Sequence, residues 1–154
     1  QKGIIYLVPE IALTSQVVKA VVQRFGQTVA VLHSGLAPSQ RLSEWKRILS
    51  KKARIVIGAR SAVFAPVANL GMIIIDEEHD GSYKEDSTPR YHARQVAMYL
   101  MRECSSISLQ SIGSRFGGKD HSTVVHAIKS VKKEMETDAA FARLIEGLKN
   151  AIHD

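Results

Sequence analysis

The chain has 154 residues, 45% hydrophobic and 23% charged, a balance that fits a globular protein and excludes general disorder. Its single cysteine, Cys104, excludes a disulfide framework and a cysteine-rich zinc cluster, and suits a reducing compartment such as the cytoplasm. The net charge of +6 favours a polyanionic partner, and the longest apolar run, Gly71 to Ile75, falls far short of a membrane span.

Ile4 to Val8 is a short β-branched run halted by Pro9, which predicts a buried strand. From Thr14, a candidate N-cap, Val17, Val18, Val21, Val22 and Phe25 recur at helical spacing, and Gly26 ends the pattern. Thr28 to Leu32 predicts the next strand. Leu42, Trp45, Ile48 and Leu49 mark a second amphipathic helix after Pro38-Ser39. Arg54 to Ile57 and Met72 to Ile75 predict two further strands. Strand, helix, strand, helix, strand implies an α/β layer with a parallel sheet, apolar on both faces and covered by helices.

Residues 80–90 read as a polar, mobile loop, with no strand expected after it. Tyr91 to Glu103 predicts a helix. Three more follow, capped by Ser108, Asp120 and Asp138; the last carries Phe141, Leu144, Ile145, Leu148 and Ile152 on one stripe. An α/β half therefore meets an all-helical half, with the division expected within residues 86–95.

The sharpest chemical signal of the first half is Ile73-Ile74-Ile75-Asp76-Glu77-Glu78-His79. Two carboxylates at the end of an apolar strand suit a nucleotide-hydrolysing site, one holding Mg²⁺ and the other polarising water. An acidic turn closing a buried strand accounts for the same text. The ordered blocks Leu7-Val8-Pro9-Glu10-Ile11-Ala12-Leu13-Thr14, His33-Ser34-Gly35-Leu36, Gly58-Ala59-Arg60-Ser61-Ala62-Val63-Phe64-Ala65-Pro66 and Asp76-Glu77-Glu78-His79 decide more. Together, over Lys2 to about Arg94, they resemble the first motor domain of the PriA family of primosomal replication-restart helicases. The resemblance implies an incomplete RecA-like sheet layer, with Asp76 and Glu77 as the Mg²⁺ and water-activating carboxylates of an intact motor. It also implies ATP and Mg²⁺ as the motor's cofactors. The loop from Asp80 would couple hydrolysis to single-stranded DNA, with Tyr83 and Tyr91 stacking on bases and Lys84 and Arg90 meeting phosphate.

A motor also needs a phosphate-cradling loop, G-x-x-x-x-G-K-[ST], after a strand and opening a helix. In that family the loop would precede Gln1, and the second motor domain would follow the break. Gln1-Lys2-Gly3 does not read as a signal peptide, and the lack of an initiator Met suggests a fragment or a trimmed chain. Gly113 to Lys119 fits the glycine spacing, but Asp120 stands where a hydroxyl should bind Mg²⁺. The chain alone is therefore expected to hold no nucleotide and no stably bound metal, and to be inactive as an ATPase.

In the second half, Ser108 to Phe116, the turn Gly117-Gly118 and the helix from Asp120 make a helix-turn-helix arrangement. Residues 102–133 carry six Lys/Arg against two acids, while residues 134–154 carry two against five. Positive charge thus gathers on the proposed reading unit, as a DNA footprint would; a small bundle with a solvated basic face shares the pattern. Arg94-Gln95-Val96-Ala97-Met98-Tyr99-Leu100-Met101-Arg102-Glu103, Ser108-Leu109-Gln110-Ser111-Ile112-Gly113 and Phe116 to Ala127 resemble domain IV of the DnaA family of replication initiators. That resemblance implies binding of a double-stranded origin box, with Asp120, His121 and Ser122 on bases, Lys119, Thr123 and Gln95 mainly positioning the backbone, and Arg94 among the DNA-binding residues. Lys119 and Ser122 depart from the family's Arg and Thr. The family's minor-groove arginine falls near Asp86, in an acidic loop, which predicts weakened binding.

The expected architecture is an incomplete α/β motor layer over residues 1–90 followed by an all-α helix-turn-helix domain over residues 91–154. The expected function is duplex DNA binding in bacterial replication initiation or restart, without membrane association. The alternative is a fragment of a DNA-dependent ATPase and helicase of primosome assembly, acting on single-stranded or forked DNA.

Overall fold

The computed structural model describes residues 2–87 and 89–153. Four strands, β1 (Gly3–Leu7), β2 (Val29–Leu32), β3 (Ile55–Gly58) and β4 (Leu70–Ile75), form one sheet in the order β2-β3-β1-β4. All three pairings are parallel, as the alternation of strands and helices requires. Helices α1 (Ser15–Phe25) and α2 (Pro38–Leu49) make the first two crossovers. The α/β layer expected from the sequence is present, with strand ends displaced by one or two residues.

The register places Ile5, Leu7, Ala30, Leu32, Val56, Ile73 and Ile75 on one face, and all of them join the core or pack against it. The opposite face is thinner. There Ile4 and Tyr6 are half-buried, and Met72 and Ile74 on edge strand β4 are 53% and 41% exposed. The even two-sided cover expected of the sheet is therefore missing at β4. The other edge, β2, is better protected: Glu44 accepts from the Val31 N–H at 2.8 Å, and Arg47 donates to the Val29 carbonyl at 3.0 Å.

The stretch expected to be a mobile loop carries regular structure on both sides of position 88, which lies outside the described residues. Gly81–Tyr83 forms a 3₁₀ turn, and β5 (Lys84–Glu85) pairs antiparallel with β6 (Tyr91–His92). Arg60 ties this ladder down, donating to the carbonyls of Ser82 at 3.2 Å and Lys84 at 2.7 Å and to the Glu85 carboxylate at 2.5 Å. The next helix, α3 (Ala93–Glu103), starts two residues later than its pattern predicts because Tyr91-His92 is drawn into that ladder.

Helices α4 (Leu109–Arg115), α5 (His121–Thr137) and α6 (Ala139–His153) complete the chain. Met98, Ile112, Val124 and Ala127 close a small core inside the helix-turn-helix. The larger core crosses the expected division of the chain: Ile5 and Leu7 of the sheet share it with Val96, Tyr99, Phe141, Ile145 and Leu148 of α3 and α6. Helix α3 serves both, with Met98 turned to the small core and Val96 and Tyr99 to the large one.

Candidate nucleic-acid interface

The turn between α4 and α5 is built by glycine. Gly117 and Gly118 take φ of +73° and +72°, a region where side chains are strained. The chain reverses so tightly that the Lys119 N–H donates to the Gly113 carbonyl at 2.9 Å. A Cβ on Gly113 would stand 2.0 Å from the Lys119 carbonyl oxygen, so α4 also needs glycine there.

Beyond the turn, Asp120 caps α5. Its Oδ1 accepts from the Thr123 N–H at 2.9 Å, the Ser122 hydroxyl at 2.7 Å and the Thr123 hydroxyl at 3.0 Å. The Ser122 hydroxyl, then the Thr123 N–H and hydroxyl, pull the carboxyl down to about 2, so Asp120 is anionic at any physiological pH. His121 and Ser122 are exposed, Thr123 and Lys119 are half-buried, and Gln95 on the first turn of α3 is half-buried. The exposed start of α5 thus presents an imidazole, a hydroxyl and a carboxylate, groups that can meet base edges in a groove. His126, further along α5, is also exposed.

Arg94 and Lys119 are not free. The Arg94 guanidinium is ion-paired to Glu78, and the Lys119 ammonium lies 3.8 Å from the other oxygen of the same carboxylate. Burial pushes the Glu78 carboxyl up, but the hydrogen bond and charge of Arg94, with Lys119, outweigh it and hold the group below its ordinary value. Sequence reasoning passed over Glu78 because, in a run of three acids, nothing local says which one turns away from the strand end.

The helicase-like residues are arranged differently from expectation. The Tyr83 ring is fully buried, and its hydroxyl donates to the Asp76 carbonyl at 2.5 Å. Tyr91 packs edge-on against Phe64 at 4.9 Å and stacks on Phe141 at 6.0 Å. Tyr83 therefore offers no ring face to a base in this arrangement, contrary to expectation, while Tyr91 is half-buried. Their apolar surface closes the core under the β5–β6 ladder. Lys84 pairs with Asp86 at 3.0 Å, and Arg90 is exposed with its N–H given to Glu134 at 2.9 Å.

Asp76 accepts from the Tyr6 hydroxyl at 3.0 Å and from the Glu77 N–H at 3.0 Å. Burial and the Asp76 hydrogen bond both push the Tyr6 phenol up. Glu77 is exposed at φ +47° and lies 3.2 Å from His79 Nε2. Among the described residues no three or more His, Cys, Asp or Glu side chains gather as a metal-holding group, and the Gly113 to Lys119 spacing is spent on the turn between two helices. No described helix is long and apolar enough to cross a membrane.

Comparison with known proteins agrees with both resemblances. A family model of the bacterial DnaA protein helix-turn-helix matches residues 80–131. The replication restart protein PriA of Treponema pallidum is 64% identical over 98 residues, which is 64% of this chain and 15% of that protein. PriA of Bacillus subtilis is 58% identical over 97 residues, 63% of this chain and 12% of its own length. PriA of Haemophilus influenzae is 45% identical over 126 residues, 77% of this chain and 17% of its own. The chain is similar to PriA and to the DnaA helix-turn-helix. It spans under a fifth of the length of these PriA relatives. The DnaA match begins ahead of Arg94, where the sequence resemblance starts, and takes in the β5–β6 ladder; it ends within α5, leaving α6 outside. The DnaA-like segment therefore contains the glycine turn and all of the small core.

Proposed function

We propose that the chain binds duplex DNA through α4, the glycine turn and the first turn of α5, and reads an origin-box type of site in the major groove. Asp120, His121 and Ser122 face base edges; Lys119, Thr123, Gln95 and Arg94 meet the backbone. Residues 91–154 form the DNA-binding part, and residues 1–90 are a partial motor layer that supports it. The observation that carries this reading is the first turn of α5, where His121 and Ser122 are exposed beyond a turn built on two left-handed glycines. Exposed polar side chains at the start of a helix suit base edges, while basic and hydroxyl groups beside it suit the backbone. The acidic Glu85-Asp86 turn stands where a basic minor-groove contact is implied, so affinity should be reduced by about 1–3 kcal/mol relative to a domain that has it.

The test is a mobility-shift series with origin-box and scrambled duplexes over a range of salt. Tighter binding to the box, falling with salt, supports the reading. Equal binding to both duplexes would sink sequence recognition and leave only charge.

A second reading, a piece of a DNA-dependent ATPase acting at forks or in primosome assembly, is favoured by the 64% identity to PriA of Treponema pallidum. Single-strand-stimulated ATP hydrolysis, lost in Glu77→Gln, would support it.

A further inference from the structure

The strand-end carboxylates and the DNA-facing turn come from opposite halves of the chain, yet they meet. Glu78 follows Asp76 and Glu77 at the end of β4, and its carboxylate reaches over to the helical half. One oxygen pairs with Arg94 on the first turn of α3, and the other lies 3.8 Å from the Lys119 ammonium. That second oxygen is also 3.5 Å from the position a Cβ would take on Gly117, so it sits against the turn itself. All three side chains are partly buried, with 24% to 38% of their surface exposed, which strengthens their attraction beyond that of open surface pairs. Beneath them a cavity of about 390 Å³ opens between β4, α3 and the turn, lined by Ile75, Met101, Phe116 and Gly117 among others. Glu78 is among the residues that line this cavity, so its ion pairs join the strand end to the turn at the cavity's edge.

Arg94 and Lys119 are two of the cations assigned above to the DNA backbone. A carboxylate that accepts from Arg94 and is ion-paired with Lys119 occupies the place a phosphate oxygen would take, since both are anionic oxygens with the same preference for guanidinium and ammonium groups. We infer that Glu78 is a built-in phosphate mimic: an autoinhibitory contact through which the α/β half restrains duplex binding by the helix-turn-helix. This inference rests on the duplex-binding reading above. For Arg94 and Lys119 to meet DNA, the ion pairs must break and Glu78 must remain near a phosphate or swing aside. Both routes weaken binding, and neither depends on base sequence.

The experiment is fluorescence anisotropy of the full chain with box and scrambled duplexes at low and near-physiological salt. Glu78→Gln keeps the shape of the side chain and removes its charge. It should tighten binding to both duplexes by about three- to tenfold at low salt, with a smaller gain as salt rises. Lys119→Gln should weaken binding, and should do so by a larger factor in the Glu78→Gln background, where the lysine is unoccupied. A purely structural role for Glu78 would not produce that coupling. Glu78→Asp, which keeps the charge but shortens its reach, should give a smaller gain and serves if the Gln variant melts early. Unchanged or weaker binding by folded Glu78→Gln and Glu78→Asp, with wild type still binding, overturns the inference and leaves the duplex reading standing. Silence of wild type and variants on every duplex at low salt overturns both. Binding by Glu78→Gln where wild type is silent supports the restraint in its strongest form.

Discussion

Helices α1 and α6 have the same amphipathic design and opposite fates. Val17, Val22 and Phe25 of α1 are 40% to 45% exposed, and no residue of that helix is fully buried. Phe141, Ile145 and Leu148 of α6 are buried to 2% exposure or less. The difference lies in what each stripe meets. Helix α6 lies against β4 and the Arg60–Phe64 turn, so the best-covered face of the sheet is closed by helices from the far half of the chain. Helix α1 packs chiefly beside β2, and Met72 and Ile74 on β4 stay 53% and 41% exposed. An apolar period tells that a helix needs a partner; it does not say from which half the partner comes.

The sharpest way to break that comparison is Phe141→Ala. The ring is fully buried and contacts Tyr91 and Phe64, each with a centroid 6.0 Å away. Its removal should cost about 3–5 kcal/mol. If the core is shared as described, the fluorescence of Trp45 in the α/β half and the far-ultraviolet helix signal should lose stability together. A shift in the helix signal alone would mean that the halves stand independently.

A smaller effect separates the glycines of the helical half. Gly113→Ala would drive a methyl against the Lys119 carbonyl, and the turn would have to move. The expected cost is about 1–3 kcal/mol, with duplex binding falling alongside. Gly147→Ala on the outer side of α6 meets nothing within 4 Å and should raise stability by about 0.5–1 kcal/mol. Thermal melts of the two variants should therefore move in opposite directions. Equal shifts would sink the claim that the turn is built on close approach.

The elements legible in the sequence were those with local causes. Thr14, Ser108 and Asp120 each accept from the N–H three residues on, and Asp138 does so for Phe141, as their side chains predict. The glycine turn was legible because left-handed backbone has few other solutions. What stayed hidden was set by distant residues. The polarity of residues 80–90 reads as a loop, and Arg60, more than twenty residues earlier, helps to tie the ladder down. Tyr83 and Tyr91 read as exposed because their neighbours are polar, while their rings fill the space between two halves that no local window contains. Glu78 belongs to the same class. Its partners are 16 and 41 positions away.

The smallest expected effect tests how tightly the ladder joins the two halves. His92 pairs with Lys84 across that ladder, and its Nδ1 accepts the Arg94 N–H at 3.1 Å as the cap of α3. Burial lowers its pKa from 6.5, Arg94 and Lys84 add to that, and Glu78 opposes them. In the folded chain the ring is therefore neutral through a range in which the unfolded chain has begun to take up a proton. The unfolded state then binds more protons below pH 6.5, so stability should fall as the pH drops from about 7 toward 5, and should be level above that window. For one group the slope stays under about 1.4 kcal/mol per pH unit. His92→Asn keeps a capping acceptor and removes the titration, so its melting temperature should lose this slope. A slope that survives in His92→Asn would show that the proton is taken up elsewhere, and that the ladder does not hold α3 through this ring.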